Sequence, residues 1–333
     1  MSMLLSSMNI RGKEFSNRVV MPPMANNQAT ESGEVTEFLL DHYRRRAEGR
    51  VGTIIVEHSY VRSDGRVNDR QMGAHCPKLA PGLSDLANVI TGAGSRAVIQ
   101  LTHAGASGLG DEAGTVWGAG SVPLPGREMD APEPLTEEQM RDLETRFADA
   151  AEMCVRAGFD GVQLHGAHGY LFNQFLSPLT NNRTDDYGGD LEGRGRFPLE
   201  VVRAVRQRIG EDALLYYRLG ADDLLEGGLT LNEGGAFAIR LVEAGVDVVD
   251  VSGGLGGSRP DDQIREGYFL PLASEIKQKV GEAVPVVVTG GIINASTAER
   301  IVAEMGIDFV GIGRALLMDP NWAVKAEVAL LSV

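Results

Sequence analysis

The sequence predicts a single (β/α)8 TIM barrel of the α/β class, spanning residues 1–333. Three observations lead there: eight short apolar runs rich in β-branched residues, a helical pattern after each, and polar or glycine residues where the runs end. Eight parallel strands is the number that closes such a barrel. A doubly wound sheet is the alternative, but no G-x-G-x-x-G follows the first run, where a dinucleotide-binding fold places it.

The runs are NRVVMP (17–22), GTIIVEHS (52–59), RAVIQL (96–101), GVQLHG (161–166), LLYYRLG (214–220), VDVVDVS (246–252), VPVVVTG (284–290) and DFVGIGR (308–314). Helical patterns cover 36–48, 80–93, 136–157, 197–209, 230–244, 268–280, 296–305 and 321–331. Thr136 and Glu138 give the third of these cap-friendly chemistry, and Asn232 to Ala244 carries an apolar stripe at helical spacing. The connections 102–134 and 167–196, after the third and fourth runs, are unusually long and rich in Gly, Pro and Asn. Loops beyond about 12–15 residues are usually functional or disordered. The aromatic residues Trp117, Tyr170, Phe172, Phe175 and Tyr187 predict ordered lids.

Composition narrows the function. With 43% hydrophobic and 23% charged residues, the 333-residue chain can build a large core. Its net charge of −15 opposes nucleic acid or an anionic membrane surface as partner. Cys76 and Cys154, in no metal-type spacing, predict a reducing compartment and are too few for a four-cysteine iron–sulfur cluster. The N-terminal MSMLLSSMNIRGKEF lacks the cationic start and apolar run of a signal peptide, and no stretch approaches the roughly 20 apolar residues that cross a bilayer. The expectation is a soluble cytoplasmic protein that acts on a small molecule.

The run ends supply the chemistry. The second ends in Glu57-His58, the third in Gln100 with His103 beyond, the fourth in Gln163 and His165, and the fifth in Arg218. The sixth ends in Ser252-Gly253-Gly254, the seventh in Gly290-Gly291 and the eighth in Gly313-Arg314. Residues two apart share a strand face, so Gln163 and His165 point the same way. In VTGG and GIGR, glycines let backbone N–H groups approach a phosphate, and Arg314 offers it a forked cation; turn glycines beside a surface arginine are the competing reading. LHGAHGYL (164–171) sets His165 and His168 three apart, with Tyr170 two beyond. A metal would need further ligands, and no conspicuous carboxylate cluster supplies them. A Schiff-base barrel needs a strand-end lysine, whereas Lys13, Lys78, Lys277, Lys279 and Lys325 lie elsewhere. Structural histidines filling the barrel top remain open beside a polar clamp, in which the imidazoles hold a substrate oxygen and Tyr170 moves a proton.

At this point the chain resembles a known family. HGAHGYLFNQFLSPLTNNRTDDYGGDLEGRGRF (165–197) is similar to the long signature of the old yellow enzymes, FMN-dependent ene-reductases. NRVVMPPM (17–24), IQLTHAG (99–105), YYRLGADD (216–223), TGG and GIGRALLMDP (311–320) match the family in order along almost the whole chain. The resemblance implies that Pro22, Pro23, Met24 and Ala25 lie along the flavin, that His58 lines it, and that Gln100 and Arg218 bond its pyrimidine end. It likewise implies that Gly291, Gly313 and Arg314 hold the FMN phosphate. His165 and His168 match the pair gripping the substrate carbonyl oxygen, and Tyr170 matches the proton donor. NADH or NADPH reduces the flavin, which then reduces an electron-poor alkene at the same site. A redox alternative is an NADH:flavin oxidoreductase or oxidase with a non-enone acceptor; a metal-dependent barrel hydrolase is the alternative from another class.

One departure from the family bears on the flavin potential and the others on the substrate. Ala25 stands where the family often has Cys or Thr bonding the flavin, and Asn27 replaces a tyrosine that one subgroup uses to bind substrate. Ala106 replaces an arginine and Gly193 an asparagine. The chain resembles the short form of the family, without an iron–sulfur module or second nucleotide-binding domain. The resemblance also implies homo-oligomers, though NWAVKAEVALLSV carries no clear interface signature.

Overall fold

A computed structural model describes residues 2–259 and 265–332. Each of the eight runs contributes one strand: β1 (Val19–Met21), β2 (Thr53–Tyr60), β3 (Arg96–Thr102), β4 (Gly161–Gly166), β5 (Leu214–Gly220), β6 (Val248–Ser252), β7 (Val286–Thr289) and β8 (Phe309–Gly311). They pair in parallel, in chain order, and β8 closes on β1, so the sheet is a TIM barrel. Around it lie α1 (Glu37–Glu48), α2 (Ala80–Thr91), α3 (Glu137–Arg156), α4 (Leu171–Leu176), α5 (Leu191–Ile209), α6 (Leu231–Glu243), α7 (Leu270–Val280), α8 (Ala295–Ala303), α9 (Arg314–Met318) and α10 (Trp322–Leu331).

Local chemistry explains the boundaries. Thr136 caps α3, but its reciprocal partner is Gln139 rather than the neighbouring glutamate; Thr230 and Glu233 make the same box on α6. Helix α5 begins at Leu191, six residues before the expected start at 197, because the Asp190 side chain accepts from the Gly193 N–H. Gly193, Gly195 and Pro198 mask that start in sequence. The connection after β4 is therefore shorter than expected, and it contains the unexpected α4.

Strand alternation divides the core. Val249 and Val251 face the helices and join the outer cluster with Leu83, Phe147 and Phe237. Val20, Ile55, Val98, Tyr216, Val248, Val287 and Phe309 face inward and fill the lower barrel. Below them sits an element the sequence reading missed, a hairpin pairing Met8–Ile10 with Lys13–Phe15. Arg11 (φ 48°) and Gly12 (φ 75°) form its two-residue turn, in the left-handed pair that suits a hairpin. Ile10 and Phe15 plug the barrel floor, and Phe15 meets Phe309 edge-on at 5.5 Å. Arg11 pairs with Asp247 and with Glu211, and Lys13 with Asp160, pinning the plug to the strand starts.

Among the described residues, no helix is long and apolar enough to cross a membrane.

Candidate active site

The opposite end of the barrel is polar. Gln100, Gln163, His165, Arg218, Asp250 and Ser252 are all buried, on the middle and upper parts of β3 to β6. Parallel register sets Gln100 beside Gln163, His165 beside Arg218, and Arg218 beside Asp250. Gln100 Nε2 donates to Gln163 Oε1 at 2.8 Å, and Gln163 Nε2 donates to Asp250 Oδ2 at 3.0 Å. The Arg218 guanidinium lies 3.5 Å from the same carboxylate oxygen.

A bulge positions His58. Between Val56 and Ser59, β2 gains one residue over β3, a device that re-aims side chains beside active sites. The adjacent Glu57 carboxylate, buried, accepts from the backbone N–H and side chain of Asn26, so it anchors the segment after β1. His58 Nδ1 lies 2.6 Å from Gln71 Nε2, while Gln71 Oε1 accepts from the Val67 N–H. Gln71 thus donates, and the neutral imidazole keeps its proton on Nε2. Burial pushes His58 down to about 4.

The turn after β4 gathers the rest. His168 takes φ +60° and Gly169 φ +75°, a left-handed pair that reverses the chain sharply. Such strain persists only where the surroundings hold it. Here Asn173 Oδ1 accepts from the Gly169 N–H at 2.8 Å, and Gln174 Nε2 donates to the Gly169 carbonyl at 2.6 Å. Asn173 in turn donates to Asp223, which also accepts from the backbone of Leu229 and Leu255. The result brings the three expected residues together: the rings of His165 and His168 are 5.1 Å apart, and His165 and Tyr170 4.7 Å. His58 lies 5.7 Å from Tyr170. His168 Nε2 meets Ser252 Oγ at 2.7 Å.

Electrostatics fixes their charge. Burial holds both His165 and His168 well below the usual histidine range, with the Arg218 charge adding to it, so both rings are neutral near pH 7. Burial raises the Tyr170 phenol while the Arg127 guanidinium opposes, so the phenol stays protonated. His103 is no part of the mouth: its Nδ1 accepts from the Gly105 N–H and its Nε2 faces Asp64 at 3.4 Å, securing the lid after β3.

The other expected residues form the far side. A Cβ on Gly313 would lie 3.2 Å from Met24 Sδ and 3.5 Å from Pro22, so the segment after β1 packs against the start of α9. Gly291 takes φ +67°, and a Cβ there would lie 3.2 Å from Arg314 Nη2 and 2.9 Å from the Tyr268 ring. Pro22 is buried, Pro23 and Met24 are half-buried, and Ala25, Asn27 and Arg314 are exposed. Asn27 Oδ1 accepts from Asn68.

These residues suit a flat polar ligand bearing a phosphate. Among the described residues, buried atoms without a partner include His165 Nδ1, Arg218 Nε, Asp250 Oδ1 and Thr289 Oγ1, all on barrel strands. An unpaired buried polar atom costs about 1–3 kcal/mol, so a cluster of them at one mouth points to a polar ligand. FMN, the cofactor that the resemblance implies, carries ring carbonyls, a ring N–H and a phosphate, and this donor set fits such a group. Among the described residues, no group of three His, Cys, Asp or Glu is arranged to hold a metal.

Sequence reasoning missed Gln71, Asn173, Gln174, Asp223 and Asp250. Asp250 left a signal, a carboxylate at an inward position of VDVVDVS between valines. The others sit in loops or on the short α4, where spacing reveals no facing.

Residues 4–331 match the NADH:flavin oxidoreductase / NADH oxidase family. The chain is 40% identical to an NADH oxidase from Thermoanaerobacter brockii, covering 97% of this chain but half of that protein's length. It is 36% identical to an NADPH dehydrogenase from Clostridium acetobutylicum, covering 97% of this chain and 94% of the relative. A solved structure of morphinone reductase in complex with tetrahydroNAD superposes with a TM-score of 0.83 at 26% identity, over 98% of this chain and 90% of that one.

Proposed function

Because the chain belongs to the NADH:flavin oxidoreductase / NADH oxidase family, FMN-dependent oxidoreductases that use NAD(P)H, we propose that it reduces activated C=C bonds of α,β-unsaturated carbonyl compounds. The observation that carries this reading is a pair of neutral histidines meeting edge-on, with His165 also edge-on to a protonated tyrosine, at the barrel mouth. Bound FMN supplies the hydride chemistry. Pro22, Pro23, Met24, Ala25 and His58 would lie along it, with Gln100 and Arg218 at its polar ring edge and Gly291, Gly313 and Arg314 at its phosphate.

The chain's own residues do three things. His165 and His168 donate hydrogen bonds to the substrate carbonyl oxygen, where negative charge grows in the transition state. Neutral imidazoles suit that task, because they stabilise the charge without surrendering a proton to it. Tyr170 delivers a proton to the carbon α to the carbonyl; its raised pKa is no obstacle, since a developing carbanion is a far stronger base. Arg127 opposes the cost of the phenolate left behind.

A second reading, an oxidase or flavin reductase with a non-enone acceptor, draws on the NADH oxidase relative and on the exposed Asn27 in place of a substrate-binding tyrosine. Anaerobic turnover with cyclohexenone and each nicotinamide separates the two. Enone-dependent nicotinamide oxidation, with cyclohexanone as product, supports the proposal. Oxidation that requires oxygen and ignores the enone favours the second reading.

A further inference from the structure

We propose that Asp250 is a positioning residue that sets both the grip and the reduction potential of bound flavin, by holding Arg218 directly and Gln100 through Gln163. This rests on the reading that Gln100 and Arg218 face the cofactor.

Asp250 is wholly buried at an inward position of β6. Burying a carboxylate among apolar strands is costly unless charge and hydrogen bonds compensate it. The compensation here is one-sided. Oδ2 accepts from Gln163 and faces the Arg218 guanidinium, whereas among the described residues Oδ1 has no partner and neither has Arg218 Nε. At 3.5 Å the ion pair is longer than the roughly 2.7–2.9 Å of a closed charge-assisted hydrogen bond. Arg218 is therefore restrained but retains uncommitted donors. Gln163 passes the restraint on, because its two amide atoms are spent on Gln100 and Asp250. One polar chain thus crosses β3, β4, β6 and β5 under the mouth.

Charge gives this chain its second consequence. The Arg218 cation favours the anionic reduced flavin, and the Asp250 anion beside it offsets that preference. A neutral side chain of the same shape leaves Arg218 uncompensated and raises the potential.

The test uses purified holoenzyme for anaerobic redox titration and apoprotein for fluorescence titration with FMN. Asp250→Asn keeps the shape and an acceptor for Gln163. It is expected to raise the preference for reduced over oxidised FMN about tenfold, which is about 30 mV for a two-electron couple. Gln163→Met keeps the charge and cuts the link to Gln100, and is expected to weaken FMN binding about fivefold. An unchanged potential in Asp250→Asn overturns the proposal; should that variant not fold, an unchanged FMN affinity in Gln163→Met overturns it instead. Arg218→Gln is the control for the underlying reading. If it moves neither potential nor affinity, Arg218 does not face the flavin. If it lowers the potential while Asp250→Asn leaves it unmoved, only the role of Asp250 fails.

Discussion

The two ends of this barrel are built from the same eight strands and differ in almost everything else. At the floor, Ile10 and Phe15 of the hairpin close against Val20, Val98, Tyr216 and Phe309, and charges at the rim pair with one another. At the mouth, buried side chains are polar, several lack partners among the described residues, and the turn after β4 holds a histidine in a left-handed conformation. The charged groups of the floor find partners within the chain, and Thr53 Oγ1 is the buried hydroxyl there without one among the described residues. The mouth carries unmet needs that a ligand can satisfy. The same strands can serve both ends because inward positions can pass from apolar to polar along one strand, as from Val248 to Asp250 to Ser252.

Substitutions at each end should separate stability from chemistry. The largest effect belongs to the floor: Phe15→Ala should cost about 3–5 kcal/mol of unfolding free energy. Chemical denaturation would measure it, and turnover per folded molecule should stay at the wild-type level. At the mouth, His165→Ala should cut enone turnover by about 10²–10³-fold through loss of a carbonyl donor. Flavin reduction by NAD(P)H should survive, and the loss of stability should be smaller than for Phe15→Ala, because among the described residues His165 Nδ1 has no hydrogen-bond partner to lose.

Acid should distinguish the ends more gently. His58 is held down at about 4 in the folded protein against about 6.5 unfolded, so the unfolded chain takes up a proton first. Stability from this group is intact above pH 6.5 and is lost as pH falls from there toward 4, roughly 2 kcal/mol by pH 5. Calorimetry across that range checks the sign, and His58→Asn should flatten the slope. Ala25 should have the smallest effect. Ala25→Cys places a thiol beside the flavin and should raise its potential by about 30 mV, a tenfold preference for the reduced form. An equal or lower potential in an anaerobic titration would remove Ala25 from the flavin's neighbourhood.

The strands and long helices were legible because apolar periodicity reports facing directly, and all eight strand runs lie where the sequence placed them. The hairpin was not, since MNI and KEF are too short for a pattern and the Arg11–Gly12 turn is inconspicuous. The grouping of His165, His168 and Tyr170 at the end of a strand was legible from their spacing, which left their role open. Its supports were not. Gln71 reaches His58 across 13 positions of sequence, and Asn173 and Gln174 act from a six-residue helix whose facing depends on the turn before it. Hydrogen bonds made by loop side chains depend on three-dimensional closure, which linear spacing does not encode.

The most direct test of the mouth as a carbonyl clamp with its own proton donor separates the two half-reactions in Tyr170→Phe. Anaerobic stopped-flow mixing with NAD(P)H, then with cyclohexenone, follows flavin absorbance in each step. Flavin reduction should proceed at the wild-type rate, while reoxidation by the enone should slow by about 10²–10⁴-fold. Reoxidation at the wild-type rate would contradict the account and take the proton-donor role from Tyr170.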